Sequence, residues 1–199
     1  KNLESMQKIF NKIISLPKDK SDNYGRFNKI LNFTKKWFKN DDKIELIDIG
    51  SGLGVFPYLV QKHGWSCTAI DPDIRSIELI NNNMSIQTIC GDFFNIKSMK
   101  KFNILTLNKV LEHVEDPIKM LQTSSNWIKE NGFIYIELPD GEVASKYGKS
   151  REEFFIEHLH IFSISSTKIL AKKAGLKVQL IDRLQEPSSK YTIRAFLSK

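Results

Sequence analysis

The chain has 199 residues, 41% of them hydrophobic, with thirteen Phe and three Trp; this suits one domain with a sizeable core and excludes a disordered chain. No apolar run approaches the roughly 20 residues that span a bilayer. The formal net charge of +7 is scattered over dipeptides such as Lys35-Lys36, Lys100-Lys101 and Lys172-Lys173, with no aromatic-interleaved basic stripe, so nucleic acid is not the expected partner.

The opening residues 1–15 alternate charged and apolar groups, which is not a secretory signal. Lys rather than Met stands first, which leaves room for residues upstream. Two amphipathic helices fill the first forty positions. Leu3, Met6, Phe10, Ile13 and Ile14 share one face, and Phe27, Ile30, Leu31, Trp37 and Phe38 share another. Leu16-Pro17 ends the first helix, and Ser21 or Asp22 can cap the second.

From residue 44 the rhythm becomes βαβα. Strands are predicted at 44–49, 66–70, 86–90, 102–107 and 133–138, with helices at 55–63, 73–82, 110–114 and 117–129. Gly64 and Asn131-Gly132 occupy helix-ending positions. Near-continuous apolar strands of this kind form parallel sheets covered on both faces. After Pro139 the pattern loosens. A last helix at 165–174, closed by Gly175, precedes strands at 176–182 and 191–197, and the turn near Glu186-Pro187-Ser188-Ser189 suits a hairpin. Cys67 and Cys90 lie in apolar segments without metal-type spacing, so buried free thiols and a cytoplasmic location are expected.

The chemistry gathers at strand tips. Gly50, Gly52 and Gly54 follow the first core strand and open a helix, where backbone can approach a ligand closely. The spacing is GxGxG; the dinucleotide fingerprint GxGxxG needs a third glycine at the position of Val55. No Lys-Ser/Thr follows, which excludes a triphosphate P-loop. Asp71 ends the next strand in Ile70-Asp71-Pro72-Asp73, where a carboxylate can accept both ribose hydroxyls of an adenosine. A turn or cap role is the simpler alternative, but Asp73 is the better cap. In Gly91-Asp92-Phe93, Asp92 can accept from an adenine amino group while Phe93 packs on the ring. Asn108 ends the fourth strand. All four tips lie on the carboxyl edge, where open α/β sheets bind ligands.

Asp48-Ile49-Gly50-Ser51-Gly52-Leu53-Gly54, Ile70-Asp71-Pro72, Gly91-Asp92-Phe93 and Val110-Leu111-Glu112-His113-Val114-Glu115-Asp116-Pro117 together resemble the class I S-adenosylmethionine-dependent methyltransferases. Within them the chain is similar to the branch with a VLEHV-x-DP signature, which includes ubiquinone-pathway and sugar methyltransferases. His158-Leu159-His160-Ile161-Phe162-Ser163 and the Leu170-Ala171-Lys172-Lys173-Ala174-Gly175 helix end also fit that branch. The resemblance covers roughly residues 44 to 199. It implies that Asp48 orients the glycine turn and the methionine amino group, and that Gly50, Ser51, Gly52 and Gly54 line the methionine and ribose portions. Asp71 and Pro72 would then hold the ribose, Asp92 and Phe93 the adenine, and Asn108 the sulfonium side. Arg26 or Tyr24 can reach the cofactor carboxylate from the first helices, although Arg26 reads equally well as a solvated helix residue.

Methyl transfer to a hydroxyl or ammonium group needs a base, and His113, His158 and His160 are the candidates. A structural role suits His113 as well. His158 and His160 face opposite ways if extended, so at most one points at substrate. A metal held by Glu157, His158 and His160 lacks a convincing third partner, and none is expected. Phe154, Phe155 and Phe162 read as core or lid packing.

The expected fold is one α/β, Rossmann-like domain: a seven-stranded, mostly parallel sheet with a C-terminal antiparallel hairpin. Its parts are a helical cap (1–40), a cofactor-binding core (44–138), a substrate-side insertion (139–164) and a C-terminal helix and hairpin (165–199). The resemblance implies methyl transfer from S-adenosylmethionine, leaving S-adenosylhomocysteine. The acceptor is read as a small molecule, leaning to a sugar or sugar-derived metabolite of surface-polysaccharide biosynthesis, with phosphorylated and nucleotide-linked forms included. The first helices lack a long apolar surface for a prenyl tail. Alternatives are a quinone-precursor methyltransferase, a tRNA or protein methyltransferase, or a non-catalytic cofactor-binding subunit. A dehydrogenase remains the competitor. Oligomeric state is not legible.

Overall fold

The computed structural model describes residues 2–39, 43–97 and 100–199. Positions 1 and 40 of the expected cap therefore lie outside the described residues. The helices are α1 (Leu3–Ile14), α2 (Asp22–Trp37), α3 (Val55–Lys62), α4 (Ile74–Asn83), α5 (Pro117–Asn126), α6 (Gly141–Ala144) and α7 (Ile164–Lys173). The strands are β1 (Glu45–Ile49), β2 (Ser66–Asp71), β3 (Gln87–Cys90), β4 (Phe102–Asn108), β5 (Ile128–Pro139), β6 (Lys177–Gln185) and β7 (Tyr191–Ser198). They form a seven-stranded sheet in the order β3-β2-β1-β4-β5-β7-β6. Among the described residues, no helix is long and apolar enough to cross a membrane.

Two compact units divide the chain, Lys1–Lys97 and Ser98–Lys199. In the first, β1, β2 and β3 are parallel neighbours. Helix α1 buries Met6 and Phe10 in a core with Val55, Ala69, Leu79, Ile80 and Met84. Ser21 caps α2, its hydroxyl accepting from the Tyr24 amide at 3.3 Å. Burying an apolar side chain such as Phe10 is worth about 1.5–3 kcal/mol, so the first helix is fixed by packing more than by propensity.

Gly54 joins the glycine turn to α3 with φ +74°, and a Cβ there would sit 2.5 Å from Ile80 Cγ1. A left-handed residue with a side chain costs roughly 1–2 kcal/mol, and overpacking roughly 1–3 more. Gly54→Ala should therefore lose about 3 kcal/mol in urea unfolding. A variant as stable as the parent would mean that the turn relaxes freely.

In the second unit β4 and β5 are parallel, and β5, β7 and β6 run antiparallel in sequence. The hairpin turns where expected, with the Glu186 amide donating to the Lys190 carbonyl at 2.8 Å. Three expectations are corrected. Residues 110–114 form a turn, because Lys109 takes φ +59° and the Glu112 carbonyl accepts from the Leu159 and His160 amides instead of continuing a helix. Asn131-Gly132 lies inside β5, since α5 already ends at Asn126 and the Phe102 amide takes the Trp127 carbonyl at 2.8 Å. Cys67 is buried but Cys90 is exposed, because β3 occupies a sheet edge.

Candidate functional site

In the first unit, β1 delivers Asp48, 1% exposed, into the interior. The Ser51 hydroxyl donates to the Asp48 carbonyl at 3.0 Å, and the Gly50 and Ser51 amides both donate to the Ile70 carbonyl. Gly52 has φ +51°, and a Cβ added there would meet nothing within 4 Å. Its amide instead donates to Asp71 Oδ2 at 2.7 Å, while Asp71 Oδ1 accepts from the Asp73 amide at 2.9 Å.

Asp73 caps α4 and is clasped by Arg75 at 2.6 Å, which holds its carboxyl down at about 2. The capping work thus falls to Asp73. A carboxylate offers about four lone-pair positions, so Asp71 keeps acceptor capacity beside the open space at Gly52. An electron-rich acceptor next to backbone that no side chain fills suits a ribose.

Asp92 is exposed and caps the turn Phe93–Asn95, accepting from the Phe94 amide at 3.0 Å and from Asn95 Nδ2 at 3.1 Å. Phe93 is only 3% exposed, whereas Phe94 is 36% exposed, so Phe94 is the ring this turn presents to solvent. Pro72 is exposed, and its carbonyl accepts from the Cys90 thiol at 3.9 Å. Arg26 is not solvated: it is buried on α2, donating to Asn23 Oδ1 at 2.8 Å.

In the second unit Asn108 closes β4 opposite Glu137, and the next residue, Lys109, already lines a cavity of about 240 Å³. Its wall includes Glu112, His113, Glu153, Phe155, His158 and Lys190. The His113 and His158 rings stand 4.9 Å apart, edge to face. His113 Nδ1 lies 3.0 Å from the Glu157 carbonyl, and His158 Nδ1 lies 3.0 Å from the Glu153 carbonyl. A carbonyl only accepts, so each Nδ1 donates its proton there, and Nε2 is the nitrogen at which each ring gains or loses a further proton. His160 is not a cavity residue; its Nε2 donates to the Val114 carbonyl at 3.0 Å.

Sequence reading missed several wall residues. Glu112 stands in the sequence only as part of the Val110–Pro117 signature, where a charge between apolar Leu111 and His113 is the available signal. It is 1% exposed, and burial pushes its carboxyl above the usual range, partly offset by its own amide and by Lys109, His113 and His158. Glu153 is buried too, but hydrogen bonds from Arg151 and the Tyr191 amide outweigh its burial and hold the carboxyl low. Phe155, expected to pack, is 50% exposed at the rim.

A mostly parallel sheet with a closing antiparallel hairpin, a glycine turn after β1 and an acid at the tip of β2 is the fold of S-adenosylmethionine-dependent methyltransferases. Such an enzyme from Clostridium acetobutylicum superposes with a TM-score of 0.72 at 14% identity, covering 98% of either chain. The plantazolicin methyltransferase in complex with S-adenosylhomocysteine gives 0.70 at 18%, covering 99% of this chain and 96% of its own. The chain belongs to the methyltransferase domain family, whose model matches residues 23–181. It is similar to the ubiquinone biosynthesis O-methyltransferases of Coxiella burnetii (29% identical over 96 residues, 45% of this chain and 41% of that protein). The one from Actinobacillus pleuropneumoniae is 28% identical over 102 residues, 46% of this chain and 44% of that protein. The match thus spans less than half the length of these relatives.

Proposed function

We propose that the chain moves a methyl group from S-adenosylmethionine to a hydroxyl oxygen of a small molecule held in the His113–His158 cavity. The observation that carries this reading is the pair of imidazoles at one cavity whose Nδ1 protons are spent on backbone carbonyls, so that each exchanges a further proton only at Nε2. Bound cofactor supplies an electrophilic methyl group. Asp71 and the Gly52 backbone hold the ribose, and Asp48, Asp92 and the residues of the glycine turn support the remainder. Asn108 ends the strand that leads directly into the cavity wall. What the protein adds is orientation of the acceptor and removal of its proton, worth roughly 10²–10⁴-fold for the base.

The acceptor is better read as a hydroxylated aromatic ring than as the phosphorylated or nucleotide-linked sugar favoured from sequence. Glu112, Glu152, Glu153 and Glu157 line the cavity against Lys109 and Lys190, and this surplus of carboxylates disfavours a phosphate. Half-exposed Phe155 at the rim offers a face for ring stacking. The relatives named for ubiquinone biosynthesis point the same way.

The test measures S-adenosylhomocysteine formation over catechols, amines and sugar nucleotides. An uncharged catechol should win by at least about tenfold in kcat/KM, and His158→Ala should lower kcat about 100-fold with unchanged S-adenosylhomocysteine affinity. Preference for a sugar nucleotide would overturn the acceptor assignment.

A further inference from the structure

Around Glu112 three titratable side chains converge. A carboxylate oxygen of Glu112 and one ring nitrogen each of His113 and His158 lie within 4.8 Å of one another. Both carboxylate oxygens are buried, and among the described residues neither makes a well-aligned hydrogen bond. Both Nδ1 protons are committed to the Glu157 and Glu153 carbonyls, so any further proton these rings exchange is exchanged at Nε2. A buried carboxylate without a hydrogen-bond partner is costly, and a proton held between it and a neighbouring imidazole removes that cost.

We infer that Glu112, His113 and His158 form a proton-holding centre in which Glu112 is the positioning residue for the imidazole base. This rests on reading the cavity as the acceptor site. As the acceptor oxygen bonds to the methyl carbon and the S–CH3 bond breaks, the hydroxyl proton passes to an imidazole Nε2. The resulting imidazolium is then neutralised by the Glu112 carboxylate. The net change is one positive charge lost at sulfur and one gained at the centre. The groups facing Glu112 are His113 and Lys109 from its own turn and His158 from the 155–160 segment; Glu152, Glu153, Glu157 and Lys190 complete the wall. Lys109 is oriented by donating to Thr192 Oγ1 at 2.8 Å. Burial lifts the Glu112 carboxyl above its usual range, the direction expected of a group that shares a proton with an imidazole.

The experiment compares the parent with Glu112→Gln and Glu112→Asp, in EDTA to keep stray divalent cations off the imidazoles. Nitrogen NMR follows protonation of the two rings without substrate. Methylation of a catechol is measured separately against pH. In Glu112→Gln the ring-protonation midpoint should fall by one pH unit or more, a tenfold loss of proton affinity, and kcat should drop 10- to 100-fold with KM within threefold. Glu112→Asp should restore part of both. Ring titrations identical in parent and Glu112→Gln would overturn the proton-holding centre whatever the activity. A shifted titration in a parent that methylates no acceptor would support the centre and sink only the acceptor-site reading.

Discussion

Replacing Asp71 by alanine is expected to weaken S-adenosylhomocysteine binding by about 100-fold or more, measured by calorimetry. Two hydrogen bonds from ribose hydroxyls to a carboxylate are each worth about 1.5–3 kcal/mol, and both vanish together. The same substitution removes the acceptor for the Gly52 amide at 2.7 Å and the Asp73 amide at 2.9 Å, so the turn itself loosens. Asp71→Asn is milder, because its amide keeps one acceptor oxygen while the NH2 group opposes either the Gly52 or the Asp73 amide. A loss of about tenfold is expected for it. Urea unfolding of both variants separates loosening of the turn from lost ligand contacts. Affinity of the alanine variant within threefold of the parent would remove Asp71 from the binding site.

The largest loss of stability is expected from Arg194→Ala, about 3–5 kcal/mol in urea unfolding. Arg194 on β7 is 4% exposed and donates to both Glu186 oxygens at 2.7 and 3.0 Å and to Glu137 Oε2 at 3.2 Å. Glu137 and Glu186 are themselves buried, and Tyr135 donates to Glu137 at 2.9 Å. Without the guanidinium, two negative charges remain where solvent cannot reach them. Acidification protonates them and should restore part of the loss. A double replacement, Arg194→Met with Glu186→Leu, should be milder than Arg194→Ala alone, since the charge and its partner leave together. A deficit that is small and independent of pH would show that the network contributes little.

Much of the fold was legible because its signals were local. Apolar strands with a period change to helical spacing located β1 to β4, β6 and β7 within a few residues and β5 in its second half, and Ser21 and Asp73 cap helices as their side chains suggest. The errors share a cause: each was decided by contacts distant in sequence. The 110–114 segment looks helical until the 158–160 backbone claims the Glu112 carbonyl. Arg26 looks solvated until α2 packs into the first unit, and β3 looks interior until it proves to be an edge. The glycine turn and the strand-tip acids were visible as residue types at fixed offsets. The Glu112–His113–His158 convergence was not, because its two histidines stand 45 positions apart and nothing in either segment names the other.

The exposure of Cys90 has a practical use. Cys67 is buried, and burial together with the negative charge of Asp48 pushes its thiol well up, leaving little thiolate to react. The chain therefore carries a natural attachment point for a maleimide dye at the end of β3, immediately before Gly91 and Asp92. A reporter placed there sits one residue from the loop assigned to the adenine and requires no substitution. Ligand titrations can then be followed by fluorescence on the unaltered sequence.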